Sequence, residues 1–262
     1  MTDDAPSRPP PARDPLAFFA SGRGGALAVA LSAIALGLAA VPYATGGDFG
    51  EKVRAYLIAN PQVLDEAVQA RQQAEEANRV ETINANIAAN VALLAPDPRD
   101  PSIGPADAKV TVIEFFDYRC PGCKAVSEDF LALIRAHPDV RFVFKEWPIL
   151  DRGDDTSSNY AARAALAAHA QGRYLPVHQA LMAEPALDPA TVDRILTDNG
   201  VDLAQARAVM ASPETDDLIA DIHGVGQTLG LAGTPTFLIN GRTTSSINPV
   251  EVSAAIEAAK RS

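Results

Sequence analysis

Two cysteines, Cys120 and Cys123, flank Pro121-Gly122 at a point where one periodicity stops and another begins. Before them, Lys109-Val-Thr-Val-Ile-Glu-Phe-Phe116 is a β-branched and aromatic run that predicts a buried strand. After a turn at Asp117-Tyr118-Arg119, the apolar residues Ala125, Val126, Phe130, Leu131, Leu133 and Ile134 recur on one helical face. Val140 to Glu146 predicts a second strand, so the segment reads as a right-handed βαβ unit of an α/β fold. Cys120 then sits at the strand-to-helix junction, and Pro121 suits the first helical position because it has no amide hydrogen to leave unpaired. The first-turn amides and the helix dipole favour a thiolate at Cys120, the nucleophile in thiol–disulfide exchange. Cys123 lies one turn on, placed to attack a mixed disulfide formed at Cys120.

Other uses of the pair are weaker. The four histidines, His137, His169, His178 and His223, do not stand at ligand spacing, so neither a zinc site nor any other metal or cofactor is expected. A structural disulfide closing so short a loop would add little stability. A net charge of −11 argues against nucleic acid as the main ligand, because phosphate binding needs clustered cations.

The amino end reads as an address. Residues 1–23, with five prolines, predict a disordered cytoplasmic tail. No charged residue occurs from Gly24 to Gly47, and residues 24–44 read as a transmembrane anchor, with a cleaved signal segment as the rival. Arg8, Arg13 and Arg23 before this run keep the tail inside and send the rest across, into a periplasmic, oxidising compartment. Residues 48–94 predict a long helical stalk with a narrow seam of Val80, Ile83, Ile87, Val91 and Leu94. That seam serves either self-association into a homo-oligomer or packing on the chain's own domain. Four prolines make residues 95–108 a linker.

The stretch Val112-Ile-Glu-Phe-Phe-Asp-Tyr-Arg-Cys-Pro-Gly-Cys-Lys124 resembles the active-site segment of DsbA-family thiol:disulfide oxidoreductases, in particular exported members with an N-terminal helical extension. Gly233-Thr-Pro-Thr-Phe-Leu-Ile-Asn-Gly241 is similar to the family's segment bearing a cis-proline before a strand. The resemblance implies a thioredoxin fold in two halves, 109–149 and 230–262, with residues 150–229 as an inserted helical domain. It also implies that Glu114 is a buried acid that takes the proton of Cys123, with Lys145 beside it. Pro235 would be cis, leaving Thr234 free to pair with an extended substrate, and Pro121 and Gly122 would line the same site. The implied partners are unfolded or disulfide-containing exported proteins and a membrane redox partner. Well-known strongly oxidising members carry histidine where Gly122 stands, so Cys120 is expected between the values of about 3.5 and about 7 known for DsbA and thioredoxin. Isomerase or reductase action on the same fold, or a client-binding protein with incidental cysteines, are the competing functions.

Overall fold

The computed structural model describes residues 29–37 and 46–262, with side chains from Phe49 onward in the second stretch. The expected tail, residues 1–23, lies outside these residues, as does most of the expected anchor. Of that run, residues 29–37 are helical. Among the described residues no helix is long and apolar enough to cross a membrane.

Two compact units divide between Arg71 and Gln72. The first contains helix α1 (Gly46–Ala59) and the start of helix α2 (Gln62–Ala89). The Asn60 side chain turns back to donate to the Tyr56 carbonyl at 2.9 Å, closing α1. Phe49, Tyr56 and Ile58 of α1 and Leu64 and Val68 of α2 are exposed.

The second unit is built on a five-stranded mixed sheet in the order β1-β3-β2-β4-β5, where β1 is Ser102–Ile103, β2 Thr111–Phe116, β3 Arg141–Glu146, β4 Thr236–Ile239 and β5 Arg242–Thr243. Strands β2 and β3 run parallel, joined through helix α3 (Pro121–Ala136), as the βαβ reading requires. Strand β4 is antiparallel to β2. Between β3 and β4 come five helices: α4 (Ser157–Ala170), α5 (Tyr174–Ala183), α6 (Pro189–Asp198), α7 (Leu203–Met210) and α8 (Pro213–Leu229). Helix α9 (Pro249–Lys260) closes the chain. Helices α6, α8 and α9 start as their Asp-Pro, Ser-Pro and Asn-Pro pairs predict, with Asp188, Ser212 and Asn248 each accepting from a first-turn amide.

The register of β2 on β3 sorts side chains between two buried layers. Glu114 is opposite Phe144, and Phe115 opposite Lys145. Val112, Phe116, Phe142 and Phe144 pack in one cluster with residues of α3, α9 and the helical insertion. Ile113, Phe115 and Val143 pack in the other with Leu218, Ile219 and Ile222 of α8 and with Ile83 and Ile87 of α2. The seam of α2 thus docks on the domain's own sheet. Val91 is the exception, 70% exposed in the short 3₁₀ turn Val91–Leu94. Burying two isoleucines contributes about 1.5–3 kcal/mol each. At Gly226 of α8 a Cβ would stand 2.6 Å from the Trp147 ring, so only glycine lets that helix lie on it.

Residues 95–108 are more than a linker. Ser102–Ile103 pairs antiparallel with β3 and covers what would be an open sheet edge. Just before it, Asp100 is buried against Lys145, with Nζ to Oδ2 at 2.5 Å.

Candidate active site

The turn between β2 and α3 is held by one carboxylate. Asp117 accepts from the amides of Arg119 (2.7 Å), Ile149 (2.8 Å) and Leu150 (3.0 Å) and from the Ser158 hydroxyl (2.9 Å). These bonds tie the turn to the chain after β3 and to the start of α4. Cys120 follows as the N-cap of α3 in an extended conformation, and its carbonyl accepts the first helical bond from Lys124 at 3.0 Å. The expected junction is therefore present.

The two sulfurs sit in different surroundings. Cys120 is 7% exposed and opens on a groove, whereas Cys123 is fully buried. Both are free thiols. A hydrogen bond with the Cys123 thiol, reinforced by the backbone amides of Cys123 and Gly122, lowers the Cys120 pKa to about 5 against the opposing effect of burial. That value falls in the expected interval. Burial above all pushes the Cys123 thiol far up, and its hydrogen bond with Cys120 acts in the same direction.

The Thr234–Pro235 bond is cis. In the thiol form Cys120 Sγ donates to the Thr234 carbonyl at 3.1 Å. The structure thus brings Cys120, Gly122, Thr234 and Pro235 to one groove, and Pro121 opens the helix beside it.

Glu114 lies between Phe144 and Phe237 across the sheet and is 2% exposed. Desolvation raises its pKa to about 8, and among the described residues its Oε2 has no hydrogen-bond partner. It is buried as expected, but Lys145 is not beside it. In a parallel pair the residues facing each other across the strands share a sheet face, so Lys145 shares the Phe115 face and Glu114 the opposite one. The ammonium of Lys145 serves Asp100 instead. Lys145→Met should therefore destabilise the fold by about 3 kcal/mol in denaturant melts by leaving Asp100 unpaired. The alkylation midpoint of Cys120 should not move. A moved midpoint would restore Lys145 to the site.

Sequence reasoning missed a polar cluster on the Glu114 face. Glu146 is 1% exposed, and its Oε1 accepts from Tyr118 (3.0 Å) and Tyr174 (2.9 Å). The Tyr118 hydroxyl also meets His178 Nδ1 at 3.0 Å. Burial raises the Glu146 carboxyl well above its ordinary value, against the two tyrosine hydrogen bonds, and lowers His178 to about 3, so the imidazole stays uncharged at neutral pH. The available signal was strand alternation, which puts Glu146 on the face of Phe142 and Phe144. Among the described residues no group of three or more His, Cys, Asp or Glu is placed to hold a metal ion.

Comparison with known proteins bears on this arrangement. The thioredoxin family model matches residues 97–258, and the N-terminal domain model of copper resistance protein ScsC matches residues 48–78. A thioredoxin-like oxidoreductase from Silicibacter pomeroyi DSS-3 is 38% identical, with 63% of this chain and 95% of that one covered at a TM-score of 0.58. Salmonella enterica Typhimurium BcfH is 27% identical, with 85% and 99% covered and a TM-score of 0.62. Among curated proteins, the Na(+)/H(+) antiporter NhaA 3 of Salinispora tropica is 34% identical over 153 residues, 57% of this chain and 23% of that one. The chain thus spans about a quarter of the length of the curated relatives it matches.

Proposed function

This chain belongs to the thioredoxin family, as its likeness to DsbA-type proteins implied, and we propose that it exchanges disulfides with exported proteins through Cys120 and Cys123. The observation that carries the proposal is the Cys120 sulfur, held acidic at the start of α3 and opening on the groove beside Pro235, with a buried thiol one turn behind it.

In the oxidising direction a client thiolate attacks Sγ of Cys120 in the Cys120–Cys123 disulfide. The S–S bond breaks, and Cys123 leaves with the electron pair. Glu114, neutral at pH 7, supplies the proton that keeps Cys123 as a thiol, directly or through a water. A second client thiolate then attacks the client sulfur of the mixed disulfide and expels Cys120 as its stabilised thiolate. The client ends oxidised by two electrons and the protein reduced by two. A membrane redox partner takes those electrons and restores the disulfide. The acidic Cys120 is the better leaving group and favours donation of the disulfide over reduction of clients.

Equilibration with glutathione buffers tests this direction. The pair should balance at a potential above the −270 mV or so of thioredoxin. A value below it would make the protein a reductant.

Export and anchoring are supported by the uncharged run 24–47 and by the arginines before it. Self-association is supported by the exposed apolar residues of α1 and the start of α2, now that the later seam is engaged on the domain itself. Sedimentation of residues 46–262 should show an oligomer that residues 72–262 do not form. Equal masses per chain for the two would remove the stalk from any assembly.

A further inference from the structure

We infer that helix α5 of the insertion frames the redox motif, and that Lys124 is the positioning residue through which α5 holds the Cys123 thiol on the Cys120 sulfur. This deepens the exchange function proposed above and rests on it. Lys124 follows Cys123 in the first turns of α3. Its Nζ donates to three carbonyls at the end of α5, those of Leu181 (3.1 Å), Met182 (3.2 Å) and Glu184 (2.6 Å).

Those carbonyls need a donor from outside the helix. A helix leaves its last carbonyls without partners of its own. Pro185 stands four residues after Leu181 and has no amide hydrogen, so the chain that follows cannot supply that bond. An ammonium offers three donors from one point, and its charge suits the negative end of the helix dipole. Burial lowers the Lys124 pKa, while Glu184, Asp117 and Cys123 act in the other direction.

The same helix holds the other flank of the motif. His178 of α5 meets the hydroxyl of Tyr118, two residues before Cys120, at 3.0 Å. Val177 and Leu181 on the same helix are fully buried. Cys120 to Cys123 are thus suspended between two attachments to α5.

The second attachment bears on the chemistry. Among the groups that favour a thiolate at Cys120, the Cys123 thiol is the strongest. Its hydrogen bond depends on where the first turn of α3 places the second sulfur. Within α3 that turn is closed by the Lys124 amide on the Cys120 carbonyl at 3.0 Å. The Lys124 side chain adds a tie to a body outside the helix.

The test reads the pH dependence of Cys120 alkylation in the reduced full chain, beside urea melts. Lys124→Met should raise the midpoint by about one pH unit, leaving about tenfold less thiolate well below it. The equilibrium with glutathione should move about tenfold toward the disulfide, or about 30 mV. Lys124→Arg keeps the charge but spreads its donors over a flat fork that does not converge on three carbonyls, so its midpoint should rise as well. Arg163→Met is the control. It removes a like bond to the last carbonyl of α7, that of Met210 at 2.7 Å, and should lower stability with the midpoint unchanged. An unchanged midpoint in Lys124→Met, or an equal rise in Arg163→Met, overturns the inference. An arginine variant with the wild-type midpoint assigns the effect to charge alone and overturns it too. Should neither Lys124 variant fold, Tyr118→Phe decides, since it keeps the ring and loses the bonds to His178 and Glu146. A raised midpoint there supports the frame, and the wild-type midpoint overturns it. These outcomes leave the exchange function standing, whereas a wild-type midpoint at or above about 8.5 removes that function itself.

Discussion

Replacing Cys120 with serine should lower disulfide exchange with a reduced, unfolded client by roughly 10⁴-fold or more, because the reacting sulfur is gone and no other thiol reaches the groove. Cys123→Ser should behave differently. Cys120 can still be attacked, but nothing behind it releases the client, so mixed disulfides accumulate on non-reducing gels. The two variants together separate attack from release. A Cys120→Ser protein that still reshuffles a scrambled substrate would assign the activity to something other than this pair, and would favour a client-binding protein with incidental cysteines.

Glu114 should govern both stability and rate. Its pKa is about 8 in the fold against an ordinary 4.5, so the folded state binds more protons than the unfolded one between these limits. Stability from this group is complete below pH 4.5 and is lost as pH rises toward 8, with roughly 3 kcal/mol gone at pH 7. Glu114→Gln cannot ionise, so urea melts of the reduced variant should show that part of the pH dependence flattened. The same change should slow exchange at the buried sulfur by about 10²-fold. An unchanged pH dependence would mean that Glu114 titrates as an ordinary carboxylate. An unchanged rate would remove it from the proton path.

The part of the site written in local sequence was legible. A strand, a turn and Pro121 after Cys120 suffice to place a sulfur at a helix start, and the Asp-Pro, Ser-Pro and Asn-Pro pairs mark helix starts for the same steric reason. The role of Pro235 came from likeness to a family, since Gly-Thr-Pro-Thr alone is equally compatible with a trans bond at a strand edge.

The parts that failed depend on register and on distant partners. Lys145 lies on the face opposite Glu114 because a shift of one residue sends a side chain to the other face, and nothing local sets the register of β2 on β3. Ser102 and Ile103 lie in a proline-rich stretch too short to show a strand period, yet the open edge of β3 recruits them. Glu146 ends an apolar strand and resembles a solvated strand end until Tyr118 and Tyr174 from other elements converge on it. The docking of α2 was hidden because its seam served two readings equally, and only the sheet that receives Ile83 and Ile87 distinguishes them.

The measurement closest to the central claim is the pH dependence of iodoacetamide alkylation of the reduced protein, read at each cysteine by mass. Labelling at Cys120 should rise with a midpoint near 5, while Cys123 stays unlabelled in the native state. A Cys120 midpoint at or above about 8.5, that of a free thiol, would mean the start of α3 does nothing for its sulfur.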